Sequence, residues 1–210
     1  MEKKIYTAIL TLCLLGLTAF ASTASAKNKI EPQPPAPAAP AMDEATMAKM
    51  KEYSTPNENH ALLQSLAGIW EYTMKWWMSP DAPPEVSSGT NKIVSILGGR
   101  FIKQIISGTS MGQPFEGRGT MGYDNIKKKF VATWIDNMAT GIMSSTSTYD
   151  PATKTFTEEG NTTCPLEESG TRSFKAMTKI IDENNFTYEM YLKDPGGKEF
   201  KAMEITYKRK

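Results

Sequence analysis

The sequence predicts an all-β domain, an antiparallel up-and-down barrel of about ten strands with a short N-terminal helix. Three observations carry that expectation. In Gly68–Met78 the even positions Trp70, Tyr72, Met74, Trp76 and Met78 are large and apolar or aromatic, while the odd ones include Glu71, Thr73 and Lys75. That is the period of a half-buried strand, whose successive side chains leave opposite faces. Second, Tyr123–Phe130 and Tyr149–Phe156 share the pattern Y-D-x-x-x-K-x-F, each placing turn residues between strand-like runs. Third, the strand-like runs follow one another through short connections, which joins neighbours antiparallel because parallel pairs need long crossovers. A sheet of so many twisted strands relieves its two edges by closing. A two-sheet sandwich is the alternative arrangement of the same strands.

In chain order, residues 1–26 have the pattern of a secretory signal peptide. Lys3 and Lys4 form a basic start, Ile5 to Phe20 are mostly apolar, and Ala24-Ser25-Ala26 is a cleavage sequence ahead of Lys27. The apolar run is shorter than the ~20 residues of a spanning helix, so no stable membrane anchor is expected after cleavage. The mature protein is expected outside the cytoplasm, periplasmic or extracellular. Cys13 leaves with the leader, and Cys164 alone cannot form an internal disulfide.

Residues 27–54 read as a spacer. Pro32, Pro34, Pro35, Pro37 and Pro40 stand among alanines, a composition that favours extended polyproline structure. A short helix over Met42–Glu52 fits its end. The barrel domain is expected over 55–210. Thr55-Pro56-Asn57-Glu58 has the form of a capping box with proline at the first helical position. It predicts a helix from Pro56 to about Leu66 that lies across one end of the sheet.

After the Gly68–Met78 strand, further runs are expected at Val86–Leu97, Arg100–Ser110, Pro114–Tyr123, Phe130–Asp136 and Gly141–Tyr149, then Thr155–Asn161, Arg172–Ile181, Phe186–Leu192 and Phe200–Tyr207. Leu97-Gly98-Gly99-Arg100 supplies a tight turn. So do Ile181–Phe186 and Lys193–Phe200, with Asp, Asn, Pro and Gly between apolar ends.

Composition excludes several functions. The 24 Lys and Arg stand against 23 Asp and Glu, so no basic field exists for a phosphate backbone and nucleic acid is not an expected partner. His60 is the only histidine, which removes His-pair metal motifs and a Ser-His-Asp triad. No metal or cofactor is expected. Cys164 sits near Glu167 and Glu168, neighbours that do not favour a thiolate. The methionines of the barrel region suit either an adaptable apolar cavity or an ordinary core.

Strand parity selects the lining of an interior. Tyr72, Met74, Trp76, Trp134, Tyr188 and Met190 are the expected apolar or aromatic walls, with Gln104 and Asp136 as inward polar groups and Glu189 directed outward. These residues suit a small hydrophobic or amphipathic ligand held by burial and oriented by one or two polar contacts. Two other readings remain open: an enzyme acting on a hydrophobic substrate with Asp136 or His60 as base, or a packed structural or interaction module.

Gly68-Ile69-Trp70, with Arg209 just beyond the last strand, resembles the lipocalin and fatty-acid-binding (calycin) pattern. That resemblance implies a cation packed over the first-strand tryptophan, so Trp70 and Arg209 are assigned to barrel closure. Longer stretches resemble a bacterial domain-of-unknown-function family, number 1579: Leu97–Phe101, Met111–Gly117, Gly122-Tyr123-Asp124, Thr133–Met138 and Lys198–Tyr207. The likeness runs from about His60 to the C-terminus and implies a calycin-like barrel without an agreed activity. The chain departs from the family pattern at Cys164–Ser169.

Overall fold

A computed structural model describes residues 42–210. The signal peptide and the proline-rich part of the spacer lie outside the described residues. Two helices, α1 (Glu44–Ser54) and α2 (Glu58–Ser65), precede ten strands. These are β1 (Gly68–Trp76), β2 (Glu85–Ile96), β3 (Phe101–Ser110), β4 (Gln113–Asp124), β5 (Lys129–Asp136), β6 (Met143–Asp150), β7 (Thr155–Thr163), β8 (Thr171–Asp182), β9 (Asn185–Lys193) and β10 (Glu199–Arg209). Every strand pairs antiparallel with its sequence neighbour, and β1 also pairs with β10, with Trp70 opposite Arg209 and Trp76 opposite Met203. The sheet is therefore a closed barrel with no free edge.

The expected strands fall within a few residues of those observed, and the repeated turn has one physical basis. Asp124 Oδ1 accepts the N–H groups of Ile126 and Lys127, and Asp150 Oδ1 accepts that of Ala152. Lys128 (φ 52°) and Lys154 (φ 53°) take the left-handed position that closes each hairpin. Each aspartate is held below the usual carboxylate range by the hydrogen bonds it accepts.

The second helix starts later than expected. Its N-cap is Asn57 rather than Thr55, and the reciprocal partner is His60 rather than Glu58: the Asn57 backbone N–H donates to His60 Nδ1 at 3.0 Å. The Thr55 hydroxyl is used elsewhere, donating to the Lys51 carbonyl at the end of α1. A proline two residues before the helix proper fits this start, because it directs the chain into the cap without needing an N–H.

α2 covers one end of the barrel with Leu63 and Leu66. Beneath it the inward residues of the strand ends form a plug: Trp70, Ile93, Ile102, Phe130, Phe156, Phe186 and Tyr207 are all buried in one cluster. Most rings meet edge to face or tilted, Trp70 on Phe186 at 4.6 Å, Phe130 on Phe156 at 5.0 Å and Tyr149 on Phe156 at 4.7 Å, while Phe186 and Tyr207 stack at 4.2 Å. A second cluster, Phe174, Ala176, Met190, Leu192 and Ala202, packs along the inner wall of β8, β9 and β10. A bulge between Lys201 and Met203 lets both Ala202 and Met203 pack there.

Candidate functional site: the barrel interior

Near α2 most inward side chains are buried, with Met121, Tyr123, Tyr149 and Ile180 partly so, and toward the other end Phe174, Ala176, Met190, Leu192 and Ala202 are buried in the second cluster. Further along, Met74, Trp76, Gln104, Trp134, Met143, Ser145, Glu158, Thr178 and Tyr188 face inward by strand parity, yet each keeps part of its surface accessible. In a closed barrel an inward side chain stays accessible only where it borders unfilled interior or the mouth. The candidate site is that half of the interior, away from α2.

One wall of it is polar. Glu158 on β7 stands opposite Ser147 on β6 and Ala176 on β8, and Thr178 stands opposite Tyr188 on β9. Desolvation raises the Glu158 pKa, while the Ser145 hydroxyl beside it acts in the opposite sense. Tyr188 is pushed well above its ordinary value by burial first and by the negative charge of Glu158 second. A carboxylate, a phenol and small hydroxyls thus share one mid-barrel patch.

Half the ring of strands away, on β2, Asn91 is fully buried. Its Nδ2 donates to Gln104 Oε1 at 2.9 Å, but its Oδ1 has no hydrogen-bond partner, and neither has Ser87 Oγ on the same strand face. A buried acceptor left unpaired is unfavourable by about 1–3 kcal/mol; Asn91 stands opposite the buried Trp70, in the plug rather than in the accessible part of the interior.

The remaining walls are aromatic and thioether. The Trp134 indole lies against Gly117 and Gly119 on β4, where any Cβ at Gly117 would collide with the ring. Trp134 Nε1 donates to Asp136 Oδ2 at 2.8 Å, and Asp136 Oδ1 accepts the Met138 N–H at 2.9 Å. Both oxygens of Asp136 therefore orient the Trp134 ring and the β5–β6 loop. At the mouth, Trp76 Nε1 donates to Met78 Sδ at 3.1 Å.

Of the eight residues expected to line the cavity, Met74, Trp76, Gln104, Trp134, Asp136 and Tyr188 keep accessible surface, whereas Tyr72 and Met190 are buried in the two packed clusters. The Tyr72 hydroxyl lies against the backbone of Gly89 and Gly108, where only glycine leaves it room. Glu189 and Glu204 lie outside the barrel with Lys201 between them, and Lys201 with Lys75 holds Glu204 below the usual carboxylate range. His60 is buried, its ring edge on Tyr123 at 5.8 Å, and serves the α2 cap.

Glu158 and Asn91 were missed by the sequence reading. The signal was available in both cases: Glu158 follows Phe156 by two residues and Asn91 precedes Ile93 by two, so each shares the inward face of an apolar neighbour.

At the plugged end, the Arg209 guanidinium lies 4.1 Å from the centre of the Trp70 ring. It donates to the carbonyls of Ala67 (2.8 Å), Glu183 (2.8 Å) and Ser65 (3.2 Å), and Trp70 Nε1 donates to the Leu66 carbonyl at 2.9 Å. Gly68 has φ 152°, and a side chain there would run into the guanidinium.

Among solved structures, the chain is similar to the crystal structure of Rv2717c from M. tuberculosis, with 12% identity and a TM-score of 0.56 over 74% of this chain and 99% of that one. That likeness is one of fold. A de novo designed fluorescence-activating β-barrel is more distant, at 13% identity and a TM-score of 0.39 over 70% of this chain and 96% of that one. No curated protein matches the chain. The family described as "Protein of unknown function (DUF1579)" matches residues 55–209, from the residue that follows α1 to the last residue of β10, and the chain belongs to that family.

Proposed function

We propose that this protein binds one small amphipathic molecule inside the barrel, in the half of the interior away from α2. The observation that carries the reading is the set of inward yet accessible side chains, Met74, Trp134, Met143, Glu158 and Tyr188, beyond an end sealed by aromatic rings. Burial of the guest's apolar body against the Met and Trp walls supplies the affinity, at roughly 25 cal/mol per Å² of apolar surface removed from water. The polar patch of β6, β7 and β9 fixes its orientation. The basic, apolar and small-residue sequence of residues 1–26 supports a protein that works after export, so its guest is one met outside the cytoplasm.

The test is a titration with the neutral apolar fluorophore N-phenyl-1-naphthylamine, using the unaltered protein and Ala132→Phe. Ala132 shares the inward parity of Phe130 and Trp134 and stands opposite Met121 and Ser145, so a phenyl ring there occupies the proposed chamber. Saturable one-to-one binding that Ala132→Phe removes while the barrel stays folded supports the reading. No binding, or binding indifferent to Ala132→Phe, overturns it.

A further inference from the structure

The polar groups of the interior are unequal in kind, and this deepens the binding proposal, on which it rests. One carboxyl group, that of Glu158, faces the interior, with the hydroxyls of Ser145, Thr178 and Tyr188 on the same patch. Cations are missing. Among the described residues no lysine lies on the inward face of a strand. Arg209 is spent on three carbonyls and the Trp70 ring, and Arg172, at the mouth end of β8, is paired with Glu167 at 2.8 Å. A carboxylate or phosphate head group entering this interior would meet Glu158 with no free positive charge to offset it.

The mouth has the same sign. Asp81, Glu85, Glu168 and Asp194 stand in the loops or strand starts at that end with no ion-pair partner among the described residues, against the similarly unpaired Lys193 and Lys198. The cations Arg118 and Lys175 are each paired with a glutamate. At the opposite end Lys127, Lys128 and Lys210 are paired with Asp124, Glu52 and Glu71, and Lys129, Lys154 and Lys208 stand near Asp150, Asp182 and Glu183. The unpaired carboxylates at the mouth draw cations toward it and repel anions.

We propose that the guest carries a protonated amine head group, which pairs with the Glu158 carboxylate beside Tyr188 and Ser145 while its apolar chain lies along Met74, Trp134 and Met143. A buried carboxylate that is costly to charge alone becomes favourable to charge when a cation is delivered to it. An ammonium also brings several N–H donors to a patch whose only side-chain donors are hydroxyls.

The experiment ranks three probes of one chain length, dodecylamine, dodecanol and dodecanoate, by displacement of the naphthylamine fluorophore at neutral pH and below their micellar concentrations. The unaltered protein and Glu158→Gln are compared. The expected result is that the amine displaces at least tenfold more effectively than the alcohol or the acid, and that Glu158→Gln removes this preference while the alcohol still binds. Equal displacement by all three, a preference for the acid, or an amine preference that survives in Glu158→Gln overturns the head-group assignment and leaves chamber binding intact. Displacement by none of the three overturns both. Should Glu158→Gln fail to fold, the ranking by the unaltered protein decides alone.

Discussion

The Arg209 guanidinium lies 4.1 Å over the Trp70 ring and at the same time donates to carbonyls of the α2–β1 junction and the β8–β9 turn. One side chain on the last strand thus ties the first strand, the capping helix and a hairpin together at the sealed end. A half-buried cation–π contact is worth about 0.5–2 kcal/mol, and the three carbonyls lose their donors with it. Arg209→Ala is expected to destabilise the barrel by about 2–3 kcal/mol in urea unfolding. Arg209→Lys recovers only a minor part of this, since an ammonium lacks the planar fork that reaches all three acceptors.

Asn125, in the β4–β5 hairpin, is the corresponding tie for α1. It is buried, its Nδ2 reaches the carbonyls of Glu52, Tyr53 and Thr55, and its Oδ1 accepts from Asn57 Nδ2. α1 itself has no buried residue, so this hook, the Arg100–Ser54 hydrogen bond and the exposed Lys128–Glu52 ion pair hold its C-terminal end. Asn125→Ala is expected to lower stability by about 1–3 kcal/mol. It should also speed proteolysis between Glu44 and Pro56 while the barrel resists. Equal protection of that segment in the variant and the unaltered protein would contradict the assignment.

His60 gives the cap a pH dependence whose sign follows from its burial. Desolvation lowers its pKa below the ordinary 6.5, although the Tyr123 carbonyl acts in the opposite sense. Below pH 6.5 the unfolded chain therefore binds a proton more readily than the folded one, and stability falls with pH from there down through the lower folded-state pKa. Above pH 6.5 the contribution is complete. His60→Gln keeps an acceptor for the Asn57 N–H without titrating, so the stability loss between pH 7.5 and pH 5.5 is expected to shrink in that variant. Urea midpoints at the two pH values decide it.

Gly117 makes room for the Trp134 ring, which Asp136 holds in place. Gly117→Ala forces the ring away and breaks the indole–carboxylate bond. The expected cost is about 1–3 kcal/mol for overpacking, together with a changed tryptophan emission spectrum and weaker binding of the naphthylamine fluorophore.

Much of the fold was legible because β-structure writes its pattern locally. The alternation from Trp70 to Trp76 and the paired Y-D-x-x-x-K-x-F turns place strands and hairpins without knowledge of distant contacts. Closure into one ring was less direct, since Trp70 and Arg209 meet only after the whole sheet has curled. The helix cap was misread because Thr55 and Asn57 offer overlapping capping patterns, and the choice depends on Asn125 engaging Asn57 from the β4–β5 hairpin. Parity identified which residues face inward, but not which are packed: Tyr72 and Met190 share the inward face of Met74 and Tyr188 and differ only in what the neighbouring strands bring against them. Glu158 was readable by the same rule as Trp134, through its apolar neighbour two positions away.

The central claim is an occupied interior, and native mass spectrometry of the mature protein from its own source tests it most directly. The account predicts one small molecule per chain, retained in the folded protein and released on denaturation, with an apolar body and an amine head. A folded protein that carries the mass of the polypeptide alone, and that takes up neither dodecylamine nor the naphthylamine fluorophore when they are supplied, would contradict it.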